Sequence, residues 1–525
     1  MTGYLTKLPR DLYSAEQVRL LDKIAIEQFD MPGFTLMQTA ASIAFNKLME
    51  KWPQTRHVQV FAGSGNNAGD GYLLASLAKE AGLSTEVITL SDPGKLRGDA
   101  RLAAEWASKH HVVMTPFSDF DSEHEKDHAH PVVVDALLGT GLDREVAGDY
   151  AKAIEFINAA DRPVLAIDIP SGLSADTGAC LGVAVIADVT VTFIGLKQGL
   201  LTNQAGDYVG ELIYHDLDVP DRVFTGDSSP QPVAQRIDIN SISTMLAPRA
   251  IASHKGSHGH VLVVGGDSSF GGAVIMAAEA ALRSGAGLVS VITRSCHRPA
   301  LLARRPEVMV LGTEDENANV DDLFARATTI VIGPGLGRGN WARGLMQKAL
   351  STQVSAGKPL IIDADALHLL AEKREQGAAE KGTGIKRDNW ILTPHPGEAA
   401  VLLNMSTSEI QEDRFRAVRE LNHIWGGVCL LKGSGSLVCA NENSRQDVFL
   451  CSEGNAGMAT GGMGDVLSGV VGGLVAQGNS LENSLCAGIC IHGEAADLSM
   501  QKDGQRGMAA TDLMPYIRQL VNPAW

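Results

Sequence analysis

Short β-branched runs alternate with segments of helical spacing along most of this chain, and this alternation constrains the fold more than any other feature. The runs HVQVFAG, TEVITL, PVVVDALLG and PVLAIDIP between residues 57 and 170 are separated by such segments, including 72–81 and 101–109. This rhythm predicts right-handed βαβ units and a mostly parallel sheet with helices on both faces. In such folds, ligands bind at the carboxyl ends of the strands.

The same rhythm resumes in the second half with HVLVVGGD, GLVSVIT, TTIVIGPG, KPLIIDAD, WILTPHPG and VCLLKGSGS. Between the halves, residues 219–239 contain three prolines and no periodicity, which is typical of a linker. A chain of 525 residues is also too long for one core. We therefore predict an α/β protein with a Rossmann-like three-layer domain over 1–218, a linker over 219–239 and a second α/β domain over 240–525.

Charge and composition argue against some classes of binding partner and indicate where in the cell the protein is located. A formal net charge of −17 argues against nucleic acid or an anionic membrane as the main partner, because either would be repelled over most of the surface. The seven cysteines form no CxxC pair, which indicates reduced thiols. The N-terminus lacks a signal-peptide core, and the apolar run at 466–476 is too short to span a bilayer. We expect a cytoplasmic enzyme.

The glycine-rich stretch NAGMATGGMGD, residues 455–465, runs directly into an apolar helical pattern. Glycines let several backbone N–H groups point into one concavity at a helix start, where the helix dipole favours an anion. Asp465 lies at the rim of this cradle, where a carboxylate could deprotonate a substrate hydroxyl beside a held phosphoryl group. The alternative is a glycine-rich helix entry that only packs tightly.

Other strand-end loops of the second half also suit a nucleotide. KGSGS offers the Lys432 charge and backbone donors, GPGLG allows close backbone approach, and HPGE presents His395 and Glu398 beside a rigid proline turn. For His395 the alternative is a purely structural histidine.

In the first half, AGSGNNAGDGY follows a strand but matches neither a dinucleotide fingerprint nor a P-loop. Amide, carboxylate and hydroxyl oxygens suit a hard cation, and this half offers them at Asn66, Asn67, Asp70, Asp135, Asp168 and Ser171. The GTGLDRE stretch with Arg144 could wrap a phosphate. Each aspartate could instead be a helix cap or turn residue. The cluster HEKDHAH, residues 124–130, is predicted to be a solvated loop rather than a metal site.

GSGNNAGDG, VDALLGTGL, DIPSG and TFIGLKQG, in this order, resemble the NAD(P)H-hydrate epimerase family. Ala68 stands where that family usually has glycine. The resemblance implies that Asn67, Asp135 and Ser171 hold K⁺ and that Asp168 is catalytic. It also implies that the hydrated nucleotide is bound by Asn66, Asn67, Ala68, Gly69, Asp70, Gly139, Thr140, Gly141, Leu142, Asp143, Arg144, Glu145 and Asp168.

The motifs of the second half, from HKGSHGHVLVVGGD to NAGMATGGMGD, resemble the ADP-dependent NAD(P)H-hydrate dehydratases, a branch of the ribokinase-like fold. The resemblance implies that the hydrate contacts Ala273, Gly337, His395 and the catalytic Asp465. Ser436 stands where threonine is more common. The implied nucleotide-binding residues are Lys432, Gly433, Ser434, Gly435, Ser436, Asn455, Ala456, Gly457, Met458, Ala459, Thr460, Gly461, Gly462, Met463 and Gly464.

Together the two halves resemble the bifunctional NAD(P)H-hydrate repair enzymes. This implies epimerisation of R and S NADHX and NADPHX, the hydrates of NADH and NADPH, and dehydration of the S form. ADP is the implied co-substrate, with Mg²⁺, and AMP the product; we expect a homo-oligomer. The alternative is a ribokinase-like small-molecule kinase with a non-catalytic N-terminal module, because the GxGD loop also serves such kinases.

Overall fold

The structure is a computed structural model that describes residues 8–120, 131–379, 386–442 and 445–522. It divides into two compact units, Met1–Gln235 and Arg236–Trp525. The segment predicted to be a linker is not irregular throughout, since Arg222–Thr225 is helical and Ala234–Ile237 is a strand. Val223 and Ile237 of this segment are buried. Burial of these apolar side chains favours ordered structure there despite the prolines. The limits of the functional domains stay a prediction.

The first unit contains a parallel sheet with the strand order β4-β3-β2-β5-β6-β7-β8. A short N-terminal strand, β1, lies outside this sheet and pairs antiparallel with β9, whose residues cross the boundary between Gln235 and Arg236. The strands are β1 (Asp11–Leu12), β2 (His57–Ala62), β3 (Ser84–Thr89), β4 (Val113–Pro116), β5 (Pro131–Ala136), β6 (Val164–Ile167), β7 (Val189–Phe193), β8 (Glu211–His215) and β9 (Ala234–Ile237). The helices are α1 (Ala15–Gln28), α2 (Gly33–Lys51), α3 (Asn66–Glu80), α4 (Gly98–Lys109), α5 (Asp149–Ala159) and α6 (Arg222–Thr225).

Helices cover both faces of this sheet. Apolar side chains of α1 to α4 pack on one face, and α5 packs on the other through Ile154 and Ile157 near Phe61. The predicted α/β class with a mostly parallel sheet is therefore confirmed for the first unit.

Helix α3 begins at Asn66, well before the start predicted at Tyr72, so the NNAGD segment is helical rather than a loop. Ala68 and Tyr72, four residues apart, are both buried and give this turn an apolar face. A Cβ on Gly71 would lie 2.6 Å from the Ala136 Cβ, so glycine allows the helix to approach the sheet closely. This packing explains why a polar, glycine-rich sequence is helical here.

The second unit contains a sheet with the strand order β18-β17-β16-β15-β14-β13-β10-β11-β12. The strands are β10 (His260–Val264), β11 (Leu288–Thr293), β12 (Met309–Gly312), β13 (Thr329–Ile332), β14 (Leu360–Ile362), β15 (Trp390–Leu392), β16 (Val428–Leu431), β17 (Ser436–Glu442) and β18 (Arg445–Cys451). The first seven are parallel. The antiparallel β17 and β18 extend the sheet and did not follow from the βα alternation.

The helices of this unit are α7 (Ile242–Met245), α8 (Gly271–Arg283), α9 (Arg298–Arg304), α10 (Val320–Arg326), α11 (Asn340–Ala356), α12 (Asp365–Ala379), α13 (Pro396–Leu403), α14 (Thr407–Glu412), α15 (Arg414–Trp425), α16 (Met463–Ala476), α17 (Leu481–Asp503) and α18 (Met514–Leu520). Helices α8, α16 and α17 share one apolar core with the strands. Among the helices in the described ranges, none is long and apolar enough to cross a membrane.

Candidate active sites

In the first unit, the candidate side chains lie at the ends of three neighbouring strands. Strands β2, β5 and β6 are adjacent and parallel, so the turns that follow them meet at one edge of the sheet. Asn67 follows β2, Asp135 lies near the end of β5, and Asp168 and Ser171 follow β6. The structure thus places these four residues at one sheet edge.

Asp135 and Ser171 form a buried hydrogen-bonded pair. Ser171 donates its backbone N–H to Asp135 Oδ2 at 2.7 Å and its hydroxyl to Oδ1 at 2.6 Å. Oδ1 also accepts the Leu137 N–H at 3.1 Å, as in an Asx turn. Burial raises the pKa of Asp135 to about 6, although these hydrogen bonds oppose the rise. Asp135 is therefore a turn residue, whatever else it binds.

Asn67 adds an oxygen that has no protein partner. The Asn67 Nδ2 donates to the Leu138 carbonyl at 3.0 Å. The Leu138 N–H donates to the Ser171 hydroxyl at 2.8 Å. The buried Oδ1 of Asn67 accepts no hydrogen bond from the residues that the structure describes. An orphaned amide oxygen beside a carboxylate and a hydroxyl fits a hard cation such as K⁺.

Asp168 lies just after β6 with a φ of 67°, in the left-handed region. Its Oδ1 forms an ion pair with the Lys197 ammonium and accepts the Thr192 hydroxyl at 3.3 Å. Only 1% of the Lys197 side chain is exposed, against 20% for Asp168. The ion pair therefore joins a buried lysine to a carboxylate that can reach a ligand.

Two further carboxyls, Asp22 on α1 and Asp70 on α3, lie close enough to this ion pair for its charges to act on them. Burial raises the pKa of Asp22 to about 6; the Asp168 charge adds to the rise, and Lys197 opposes it. Burial also raises the pKa of Asp70 well above its usual value, with Asp168 and Asp22 adding to the effect. The site is therefore a cluster of three carboxyls and one lysine.

The remaining predicted substrate contacts of this unit differ in how they face solvent. Ala68 is fully buried, and a Cβ on Gly69 would lie 2.5 Å from the Met37 sulfur, so both face the core. The N-terminus of α3 has no side-chain cap and is open to an anion. The stretch from Gly139 to Glu145 is a partly exposed turn whose first residue lies beside Asn67.

In the second unit, β16, β15, β14, β13 and β10 are consecutive parallel neighbours. Their carboxyl ends carry the predicted loops: KGSGS after β16, PHPGE after β15, DAD after β14 and GPGLG after β13. The helix α16, which begins at Met463 within the 455–465 stretch, packs near these strands through the shared core. The structure therefore gathers the loops at one edge.

Lys432 is the central cation of this edge. Its Nζ lies 2.8 Å from Asp363 Oδ1 and 3.8 Å from Glu398 Oε2, and the Ser468 hydroxyl donates to Asp363 Oδ2 at 2.5 Å. Burial acts to raise the pKa of Asp363, but the Lys432 charge and these hydrogen bonds outweigh it and lower the pKa. Burial raises the pKa of Glu398 to about 7, with Lys432 opposing.

Asp465 lies in the first turn of α16, immediately beyond the glycine loop. Gly462 caps this helix with a φ of 93°, which favours glycine. A Cβ on Gly464 would lie 3.3 Å from Lys432 Nζ, so the loop passes directly over the lysine. Burial raises the pKa of Asp465 to about 7; the Asp363, Asp365 and Glu398 charges add to the rise, and Lys432 opposes it.

Two buried side chains hold the loops that are predicted to bind the nucleotide. The Arg414 guanidinium donates to the carbonyls of Lys432 at 3.3 Å and Gly435 at 3.3 Å. Asp497 accepts the Gly454 N–H at 2.9 Å and the Asn455 amide at 2.8 Å. These bonds fix the KGSGS loop and the start of the 455–465 stretch.

His395 caps helix α13. Its Nδ1 accepts the backbone N–H groups of Gly397 at 3.0 Å and Glu398 at 3.2 Å, and its Nε2 lies 3.5 Å from Glu398 Oε1. Burial and the Lys432 charge lower the pKa of His395, which favours the neutral ring. The structural role considered for this histidine is therefore present, and its side chain is also 56% exposed.

Gly337 and Ala273 lie at the same sheet edge. The Gly337 N–H donates to Asp365 Oδ2 at 2.9 Å, and Ala273 lies in the first turn of α8, which follows β10. Asp365 is one of the groups whose charge acts on Asp465.

Sequence reasoning did not single out Asp22, Asp363, Arg414, Ser468 or Asp497. Asp363 stands at a strand end in the DADAL motif, a position that could have identified it. The other four lie on helices, where no local pattern separates them from ordinary helical residues. The cluster at 124–130 lies outside the described residues.

Comparison with known proteins adds family models for both halves. The model described as NAD(P)H-hydrate dehydratase matches residues 261–519, and the model described as YjeF-related protein N-terminus matches residues 33–199.

Relatives match the whole chain. A bifunctional NAD(P)H-hydrate repair enzyme Nnr from Coxiella burnetii is 44% identical and aligns over 98% of this chain and 99% of its own length. The protein of the same name from Escherichia coli is 40% identical over 98% of this chain and 95% of its own. A solved ribokinase-like superfamily protein from Enterococcus faecalis is 27% identical and covers 55% of this chain and 94% of its own, with a TM-score of 0.49. This chain therefore belongs to the family of bifunctional NAD(P)H-hydrate repair enzymes.

Proposed function

We propose that the chain returns both epimers of NADHX and NADPHX to NADH and NADPH, with epimerisation in the first unit and ADP-dependent dehydration of the S form in the second. One observation carries this proposal: the chain is 44% identical to a bifunctional repair enzyme over 98% of its length. The alignment therefore includes the candidate sites of both units. Each edge holds a lysine paired with an aspartate, Lys197 with Asp168 and Lys432 with Asp363.

Dehydration needs the C6 hydroxyl to become a better leaving group, because hydroxide leaves poorly. Asp465 takes the hydroxyl proton while the oxygen attacks the β-phosphoryl group of ADP, and AMP leaves. The lone pair of the ring nitrogen then expels phosphate, and loss of a C5 proton restores the dihydropyridine. The Lys432 charge and the N–H groups at the start of α16 stabilise the negative charge of the transferring group.

The nucleotide is assigned to the loops 432–436 and 455–464, and the hydrate to Ala273, Gly337, His395 and Asp465. Lys432 is held by Asp363, so we assign it as a fixed positive charge rather than a mobile phosphate ligand. Magnesium, as the ADP complex, would supply additional charge neutralisation at the phosphates.

The proposed role of Asp465 predicts a pH dependence. A general base acts only when ionised, and burial raises the pKa of Asp465 to about 7. We expect kcat/KM for the S hydrate at saturating ADP to fall about tenfold per pH unit below that pKa and to level off above it. Rates measured from pH 5.5 to 9 test this.

Lys432→Met sharpens this test, because the ammonium lowers the pKa of Asp465. The inflection should move to higher pH in that variant, whereas Glu398→Gln should move it to lower pH by removing a neighbouring negative charge. A rate that does not change between pH 5.5 and 9 contradicts the assignment of Asp465 as the base.

In the first unit, the hydrate is assigned to the segments 66–70 and 139–145 and to Asp168. The uncapped N-terminus of α3 supports placing a phosphate of the coenzyme there. Asn67, Asp135 and Ser171 would hold K⁺, which would supply positive charge beside those phosphates.

Potassium binding should be measurable without turnover. KCl is increased while tetramethylammonium chloride is decreased, so that the ionic strength stays constant. The unfolding temperature of the wild type should rise, because a ligand that binds only the folded state stabilises that state. Asp135→Asn should remove this dependence and slow the epimerase more than the dehydratase. Asp149→Asn, an exposed change on α5, is the matched control. Equal potassium dependence in wild type and Asp135→Asn refutes the site.

We also propose a cytoplasmic location, because the cysteine pattern indicates reduced thiols, and a homo-oligomeric state. Light scattering in solution and cell fractionation test these two points.

A further inference from the structure

Lys197 is too fully bonded to act on a substrate itself. An ammonium has three N–H donors, and three acceptors receive them: Asp168 Oδ1, the Thr192 hydroxyl at 3.0 Å and the Phe193 carbonyl at 3.1 Å. Only 1% of its side chain is exposed. Lys197 is therefore a positioning residue that holds Asp168 Oδ1 and leaves Oδ2 to face a ligand.

Asp70 has the opposite surroundings. It lies on α3 behind the open helix N-terminus and is partly buried. In the described part of the chain, no residue forms a hydrogen bond or an ion pair with its carboxyl group, so the carboxyl is available to a ligand. The charged groups that act on it are Asp22 from α1, Asp168 after β6 and Lys197 after β7.

Two carboxyls in one site thus have different environments, one ion-paired with a lysine and one without a partner. A carboxyl held by a lysine beside a carboxyl without a partner is an arrangement typical of a base and acid pair. Burial raises the pKa of Asp70 well above its usual value, which favours the protonated acid at neutral pH.

We propose that Asp70 is the general acid of epimerisation and protonates the ring nitrogen N1 while Asp168 takes the proton of the C6 hydroxyl, so that the hydrate inverts through a ring-opened aldehyde. This inference rests on the proposed epimerase function of the first unit.

Protons and electrons balance within the site. As Asp168 accepts the hydroxyl proton, the C6–O bond becomes a carbonyl, the C6–N1 bond breaks and N1 receives its proton from Asp70. Rotation about C5–C6 presents the other face of the aldehyde. N1 then attacks C6, Asp70 recovers its proton from N1, and Asp168 returns its proton to the new hydroxyl. No oxidant, reductant or co-substrate is consumed.

Loss of hydroxide from C6 would be the other route to inversion, through an iminium ion and re-addition of water. That ion carries acidic protons at C5, and a neighbouring carboxylate such as Asp168 would remove one and form the dihydropyridine without ADP. Ring opening avoids this, because C5 is then next to a neutral aldehyde and the C6 oxygen is never released.

Oxygen labelling distinguishes these routes. Purified S hydrate is incubated with the wild-type chain and no ADP in water enriched in ¹⁸O, and the R hydrate that forms is analysed by mass spectrometry at low conversion. We expect the C6 oxygen to be retained, with fewer than about one label per ten inversions. One label per inversion would overturn the ring-opening step.

Substitutions test the acid. Asp70→Asn keeps the shape but removes the acid, so epimerisation should fall about 100-fold to 1,000-fold, and Asp70→Glu should recover part of the rate. The wild-type rate should also decline at high pH where the acid ionises, and Asp70→Asn should lose that decline. Asp149→Asn, an exposed change on α5 outside the site, should stay within about threefold of wild type. Dehydratase activity and thermal unfolding of each preparation confirm folding.

The outcomes separate the two proposals. A wild-type chain that does not epimerise the hydrate refutes the proposed function of the first unit. A wild-type chain that epimerises, with Asp70→Asn retaining more than a third of the rate, refutes only the assignment of Asp70.

Discussion

Asp465→Asn is expected to slow dehydration of the S hydrate by about two to four orders of magnitude, the usual contribution of a general base. The amide keeps the shape of the side chain but cannot accept the hydroxyl proton. Because the backbone of the glycine loop is unchanged, ADP should still bind with an affinity close to that of the wild type. Initial rates with saturating ADP and calorimetric titration with ADP measure the two effects.

Asp503→Asn is the matched control, since this exposed aspartate lies at the end of α17 and pairs with Lys502. It should leave both measurements unchanged. An Asp465→Asn variant within threefold of wild type in initial rate would remove Asp465 from the mechanism. A variant that loses ADP binding as strongly as activity would make Asp465 a nucleotide ligand instead.

Asp168→Asn is expected to stop epimerisation while conversion of the S hydrate continues. Asparagine suits the φ of 67° at this position, where alanine would be strained. With a mixed-epimer sample and ADP, NADH formation should halt when the S form is consumed, apart from the slow spontaneous epimerisation. Chiral chromatography of the residual hydrate measures this directly.

Removing one partner of a buried ion pair typically lowers the free energy of unfolding by about 3 to 5 kcal/mol. The single variant is therefore compared with Asp168→Asn/Lys197→Met, which removes both charges and leaves no unpaired buried charge. Asp161→Asn, an exposed position that also has a positive φ of 48°, is the control. Continued rapid loss of the R form in the double variant, while it is folded, would show that Asp168 is not catalytic.

The sequence was sufficient to predict the class and order of the main elements. Alternating β-branched runs correctly indicated a parallel sheet in each half, since buried parallel strands leave that pattern directly in the residues. The start of α3 was wrong because its signal is packing: Gly71 permits a contact with Ala136 that no local propensity reveals. The hairpin β17 and β18 likewise depends on pairing at the edge of an existing sheet.

For the sites, the sequence pattern could locate the strand-end residues but not the charged groups that lie near them. Asp168 and Asp465 lie within a turn motif and a glycine-rich motif that are visible in the chain. Asp22 reaches the first site from a helix distant in sequence, and Lys197 is paired with a carboxyl 29 residues away. Such pairs depend on the sheet order, so only the folded structure brings them together. The roles assigned to individual residues stay predictions until the variants are measured.

The central claim is that one chain performs epimerisation and ADP-dependent dehydration in sequence. The wild-type chain should be incubated with mixed-epimer NADHX, with and without ADP, while absorbance of the dihydronicotinamide, AMP and residual epimers are followed. The account predicts complete conversion of both epimers to NADH with one AMP formed per NADH, and no NADH without ADP. Accumulation of a stable phosphoester of a small molecule without NADH, as a kinase would produce, or a reaction that stops with the R epimer intact, would contradict it.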